Sequence, residues 1–379
     1  MEKCFLSPWF PLRRLLLLAG ATLLTPVSGA VEVTLAPPHP VSAPGLTESV
    51  VVALEEAGAP VASTQAALSV TWPDGSTLSL KQETEAGGTA RYEIAVPRVM
   101  PTGHAELKLE AASFQQKVVA QMDVLEKARY DELDALAASI PLAGPLRVLY
   151  LGDSLTAQQE GSNHVDKVRF WLEKQHPGKT TFRNAAVGGD SIRTVWRRFE
   201  HVLDPAKKAQ FRQERYDDIF GFKPDVIFIF LGHNDNKATS KSDFKEPSIP
   251  FEVQDQCFHS VIDLLKEKNP EAKVVLISSV SPVEEIARAR SEKRLAEGHA
   301  TNRHGVPALM ERYNEQLQRI AGEYGFDYVD VYTPTKNHPD KASLFNPKDG
   351  VHLTVEGNRF IATQVLQYLA GPNRVLAKP

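Results

Sequence analysis

The sequence predicts a doubly wound α/β domain, its parallel sheet covered by helices on both faces, preceded by a small all-β sandwich. Three observations carry this reading. Five continuous apolar runs, "RVLYLG", "TTFRNAA", "DVIFIFLG", "KVVLISS" and "DYVDV", recur from Leu146 onward. Helix-period stretches lie between them, among them "HVDKVRFWLEKQ", "FHSVIDLLKEK" and "MERYNEQLQRIAGEYG". Buried strands that alternate with helices build parallel sheets. Before residue 125 the pattern changes to short alternating runs, "ESVVVAL", "AALSVTW", "ARYEIAV" and "AELKLEA", separated by "EAGAP", "WPDGS", "EAGG" and "MPTGH". Strands at that spacing indicate an antiparallel sandwich of immunoglobulin-like type.

Taken in order, residues 1–30 read as a cleaved signal peptide, with Arg13 and Arg14 ahead of "LLLLAGATLL" and small residues Ser28 and Ala30 at the cleavage positions. The apolar run is short for a bilayer span, so the expectation is a secreted or periplasmic protein with no integral membrane segment after cleavage. Residues 31–125 form the β module, 126–145 a helical connector closed by Pro141 and Pro145, 146–372 the α/β domain, and 373–379 a tail. Two polar stretches, 236–253 and 284–308, are longer than a connection requires. With 42% hydrophobic residues the 379-residue chain can bury a sizeable core. The signal carries a net +2 out of the chain's −4, leaving −6, a balance that argues against nucleic acid as a partner. Cys4 departs with the signal and leaves Cys257 alone, so no internal disulfide is available; Cys257 reads as a small buried hydrophobe.

Three of the apolar runs end in small polar residues. The first reaches "GDS" with Ser154, the second "NAAVGGDS" with Gly188 and Gly189, the third "LGHND" with Gly232, Asn234 and Asp235. Near the C-terminus "DGVHLTVEGN" sets Asp349 three residues before His352. In a doubly wound sheet such strand ends share one edge and converge. These residue types suit acyl transfer. A serine hydroxyl needs a base in reach to become a nucleophile. An imidazole titrates near neutrality and can serve, and a carboxylate can fix its tautomer. Backbone N–H groups at Ser154 and a glycine, with the Asn234 amide, can bind the oxyanion.

Quoted together, "GDSL" at 152–155, "VGGDS" at 187–191, "GHND" at 232–235 and "DGVH" at 349–352 resemble the four blocks of the SGNH, or GDSL, hydrolases, in that family's order. The resemblance spans roughly residues 146–370 and excludes the β module. It implies a three-layer α/β/α, flavodoxin-like domain with a five-stranded parallel sheet. It also implies Ser154 as nucleophile, His352 and Asp349 completing a triad, and an oxyanion hole of Ser154, Gly189 and Asn234. Gly188 remains the alternative to Gly189, which the family's "GD[ST]" pattern favours. The implied protein is a carboxylic ester hydrolase without cofactor.

Export and the attached module, with the habits of such family members, point to O-deacetylation of carbohydrate or polysaccharide. The rivals are a lipid-directed esterase (lysophospholipase or thioesterase), acyl transfer to another alcohol, and a non-catalytic polysaccharide- or cell-wall-binding protein. Other residues have plainer readings. Asp153 and Asp235 are structural hydrogen-bonding groups; the plainer reading of His352 is a helix-flanking histidine with Thr354 as cap, against which Asp349 at this spacing argues. His233 lines the pocket; His233, His299, His304 and His338 lack metal-ligand spacing, and no metal is expected. Arg193, Arg197 and Arg198 form a solvated helix face, and Trp196 belongs to the core.

Overall fold

Every second residue from Ala66 to Trp72 is buried, the mark of a strand with one face on a core. The computed structural model describes residues 31–37, 39–111, 114–159 and 162–371; the expected signal peptide at 1–30 and the expected tail at 373–379 lie outside them. Nine strands precede residue 125: β1 (Val31–Ala36), β2 (Val41–Ser42), β3 (Thr47–Glu56), β4 (Ala59–Pro60), β5 (Gln65–Thr71), β6 (Thr77–Glu83), β7 (Thr89–Ala95), β8 (Gly103–Ala111) and β9 (Phe114–Val124). One sheet runs β1-β3-β4 with β7 on β3, the other β2-β9-β8-β5-β6. Their inner faces share a core of Val52, Leu54, Tyr92 and Ile94 from the first and Leu68, Val70, Leu107 and Met122 from the second. The four alternating runs correspond to β3, β5, β7 and β8, and the sequence does not indicate β1, β2, β4, β6 or β9; β9, for one, has no clean alternation.

The chain then passes through α1 (Lys127–Ala138) into β10 (Leu146–Gly152), α2 (Ser154–Ala157), α3 (His164–Gln175), β11 (Thr180–Asn184) and α4 (Ile192–Leu203). It continues through β12 (Val226–Phe230), β13 (Ala238–Thr239), α5 (Phe251–Lys268), β14 (Lys273–Ile277), α6 (Glu284–Ala296) and β15 (Asn302–Arg303). Last come α7 (Pro307–Tyr324), β16 (Asp327–Val329), α8 (Tyr332–Lys336) and α9 (Val355–Leu369). The five expected strands form one sheet in the order β11-β10-β12-β14-β16, and every pairing is parallel. That is the doubly wound order of the flavodoxin-like fold.

Side chains of β10 explain the layering. Leu146, Val148 and Tyr150 enter one core with Val165 and Trp171 of α3 and Ile361 and Leu366 of α9. Leu149 and Leu151 enter the other with Val195 of α4, Phe258 of α5 and Leu317 of α7. Cys257 is buried in this second core. The chain leaves β10 to one side for β11 and crosses to the other for β12, so the carboxyl end of β10 is the topological switch point.

The β module is joined to this domain by apolar and ionic contacts. Val41, Ala43 and Leu125 extend the first α/β core, beside Leu133 and Trp171. Asp123, 4% exposed, bonds Lys167 Nζ at 2.6 Å, Arg359 Nη2 at 2.7 Å and His104 Nε2 at 2.9 Å. Burial works against the Asp123 carboxylate; its cationic neighbours outweigh burial and hold its pKa well below the ordinary value.

Candidate active site

β10 is buried from Val148 to Gly152, and the next residue turns the chain. Asp153 caps α2 by accepting from Leu155 N at 2.9 Å, which puts Ser154 in the first position of that helix, at the switch point. The second block is pinned to the first: Val187 N donates to Gly152 O at 3.1 Å. The third is pinned to the second, because Ile192 N donates to Asp235 Oδ1 at 2.9 Å and Asn234 Nδ2 to Asp190 O at 2.9 Å. Gly232 has φ +129°, and a Cβ there would lie 2.5 Å from the Tyr313 ring, so no other residue fits without displacement.

His352 arrives on a loop closed on itself. Asn346 N donates to His352 O at 2.7 Å, Gly350 N to Asn346 O at 2.7 Å, and Thr354 caps α9 through Gly357 N. His352 Nε2 lies 3.0 Å from Ser154 Oγ, and His352 Nδ1 lies 2.9 Å from Asp349 Oδ2. Asp349 Oδ1 accepts from the N–H groups of Val351 and His352 at 2.8 and 2.9 Å. Partial burial works against the Asp349 carboxylate, but these hydrogen bonds, the ring's first, leave its pKa below the ordinary value. An ionised Asp349 accepting at one ring nitrogen assigns the Nδ1–H tautomer and leaves Nε2 free to accept from the serine hydroxyl.

These groups line a cleft of about 470 Å³, together with Gly188, Gly189 and Asn234. Gly189 has φ +89°, a conformation side chains rarely adopt. Gly188 stands beside the serine; a Cβ on it would lie 3.8 Å from that of Ser154. The Asn234 amide has two N–H donors, and its bond to Asp190 O occupies one.

Beneath the cleft sits a row of buried acids. Burial pushes Asp153 up to about 8 and Asp235 up to about 7, and each keeps one oxygen without a partner. Asp190 is met by Arg198, whose Nε and Nη2 reach its two oxygens at 2.7 and 2.9 Å. Arg198 is therefore not on a solvated face, as expected for it with Arg193 and Arg197; it is 1% exposed, while those two are exposed. Trp196 is half-buried against the second core. His233 lines the cleft at 3% exposure, both ring nitrogens unpartnered; burial first, then His304 and His352, lowers its pKa to about 3. Among the described residues no group of three His, Cys, Asp or Glu is placed to hold a metal.

The remaining walls come from Val351 of the fourth block and from residues outside the motifs: Gln158, and Ala287, Arg290, Arg294, Thr301, Asn302 and His304 of the second long polar stretch. That stretch pairs with the first, β15 against β13 in antiparallel register. Their length beyond any connecting role was the signal available in the sequence.

A family model described as the GDSL-like lipase/acylhydrolase family matches residues 150–360. The GDSL esterase/lipase WDL1 of Oryza sativa subsp. japonica is 24% identical over 147 residues, 39% of this chain and 54% of that protein. The GDSL esterase/lipase CPRD49 of Arabidopsis thaliana is 23% identical over 146 residues, 38% and 54% of the two chains. This chain thus spans about half the length of these relatives. A lipase/acylhydrolase from Enterococcus faecalis, known from its crystal structure, aligns with a TM-score of 0.42 at 15% identity, over 61% of this chain and 100% of that one.

Proposed function

The chain belongs to the GDSL-like lipase/acylhydrolase family, and on that premise we propose that it is a secreted serine esterase that removes acetyl groups from carbohydrate. The observation that carries the reading is the relay Ser154 Oγ to His352 Nε2 at 3.0 Å and His352 Nδ1 to Asp349 Oδ2 at 2.9 Å, at the floor of an open cleft.

In this mechanism Ser154 Oγ attacks the ester carbonyl as His352 Nε2 takes its proton. Asp349 holds the imidazole and balances the charge it acquires. The oxygen that becomes negative is met by the N–H groups of Ser154 and Gly189 and by the free N–H of Asn234. Collapse of the tetrahedral intermediate expels the alcohol, protonated by His352, and leaves the acyl group on Ser154. Water then gives a proton to His352 and attacks the acyl-enzyme, and the acid departs as Ser154 regains its hydrogen.

The choice of substrate is supported by the lining. Apart from the glycines, only Ala287 and Val351 are apolar among the described residues that line the cleft, a lining poorly suited to a long acyl chain. Polar Gln158, Thr301 and Asn302 suit a hydroxyl-rich alcohol. Export rests on residues 1–30 alone. The test is a series of p-nitrophenyl esters from acetate to palmitate, with acetate release from acetylated polysaccharides alongside. Acetate should be the best acyl group, and Ser154→Ala should abolish turnover with the fold retained. Activity confined to chains beyond octanoate would refute the carbohydrate reading and favour a lipid substrate.

A further inference from the structure

One side of the cleft carries charge that the ester chemistry does not use. Ala287, Arg290 and Arg294, spaced three and four apart, fall on the face of α6 that lines the cleft. Both of these guanidinium groups are exposed, and among the described residues neither has a carboxylate or hydrogen-bond partner. Their neighbours differ: Arg288 lies 4.0 Å from Glu284, and Arg303 3.9 Å from Glu292. Among the described residues the one carboxylate in the lining, Asp349, is engaged by His352 at 2.9 Å. Two like charges four residues apart on a helix repel each other, and the chain as a whole is at −4, so this wall runs against the average charge of the molecule. The positive field extends inward: after burial, the charges of Lys237, His352 and Arg290 depress the His304 pKa, to about 4. The wall is also held in register with the relay, since Val283 N, just before α6, donates to Gly350 O in the His352 loop at 2.8 Å.

We propose that Arg290 and Arg294 form an anion subsite and that the substrate is an acidic carbohydrate, bearing a fixed oxyanion within reach of the ester that is cleaved. The inference rests on the esterase reading and narrows it. Planar guanidinium groups pair with a carboxylate or a sulfate on a sugar, and both are five-donor forks suited to such oxygens. The anion anchors the sugar to α6 while its ester faces Ser154.

Three mono-O-acetylated methyl glycosides test this: a galacturonide, a 6-sulfated galactoside and a neutral galactoside. At low ionic strength, kcat/KM for at least one anionic probe should exceed that for the neutral one by about tenfold or more, and the better anion identifies the source. The anionic-to-neutral ratio should fall towards one in the Arg290→Gln, Arg294→Gln double variant. It should be largely kept when both are replaced by lysine, and should shrink in wild type as salt screens the site. A neutral probe equal to or better than both anions, or a preference that survives the double glutamine variant, overturns the subsite. Binding separates this from failure of the esterase reading. In Ser154→Ala, calorimetry compares trigalacturonate and 6-sulfated galactotriose with neutral galactotriose. Anion-selective binding that the glutamine variant loses upholds the subsite even if no ester is turned over; unselective binding sinks it even if esters are cleaved.

Discussion

Asn234 is held by the Asp190 carbonyl at 2.9 Å, so its second N–H is fixed in direction before any substrate arrives. Truncating it to alanine should lower kcat by about 10²–10³, equivalent to roughly 3–4 kcal/mol of barrier, with KM changed far less. Steady-state kinetics on p-nitrophenyl acetate read this directly; an unaltered kcat would remove Asn234 from the oxyanion hole. Asp349 gives a pH dependence. Its folded-state pKa is depressed, so the stability it contributes is present above its unfolded pKa and is lost only as pH falls through the lower folded value. The carboxylate therefore stays ionised to a lower pH than an ordinary aspartate and remains able to hold the ring. Asp349→Asn should cut kcat by orders of magnitude while leaving the Ser154 and His352 side chains in place. Ser154, Asn234, Asp349 and His352 were legible as candidates because each lies in a short local motif at a strand or loop end. Arg198 was not. It is surrounded by arginines, and its burial follows from position three residues after Val195 on the apolar face of α4 and from a buried partner, Asp190, that no local pattern announces.

At the scale of elements, the site is built from loops that strand ends and buried acids hold in place. Asp153 and Asp235 have folded-state pKa values of about 8 and about 7, above the ordinary 3.8. The folded protein therefore keeps protons that the unfolded chain releases. The stability these groups confer is complete below the unfolded value and is lost as pH rises through the folded ones. Urea midpoints should accordingly carry a declining component from about pH 4 to about pH 8, and Asp153→Asn should flatten it; an unchanged slope in that variant would contradict the protonated state assigned here. The central strands β10, β12 and β14 were legible because residues buried on both faces make continuous apolar runs, while the edge strands β11 and β16 are only partly buried. The cleft wall on α6 was not. "EEIARARSEKRLA" is charged on nearly every face, with only Ala287 and Ser291 buried, so its sequence reads as an ordinary solvated helix. Its place in the cleft wall depends on long-range ties, the pairing of the two polar stretches through β13 and β15 and the bond from Val283 N to Gly350 O.

Across the whole molecule, Asp123 ties the β module to the α/β domain by meeting Lys167 and Arg359 in a buried cluster. Asp123→Ala would leave two cations facing each other without a counter-charge, and should destabilise the protein by about 3–5 kcal/mol in urea unfolding. A change under about 0.5 kcal/mol, the usual scatter of surface substitutions, would show that the cluster does not join the two parts. The order of the two parts was legible from the change of hydrophobic period near residue 125. Their attachment was not, because it depends on residues as far apart as Asp123 and Arg359. The same long-range closure brings Ser154 to His352 across 198 positions of sequence. Its most direct test is intact-protein mass spectrometry after treatment with diisopropyl fluorophosphate. One adduct on Ser154, absent from folded Ser154→Ala and accompanied by complete loss of ester hydrolysis, is the expected result. Wild-type protein that hydrolyses p-nitrophenyl acetate while Ser154 stays unmodified, or that carries its adduct elsewhere, would contradict it.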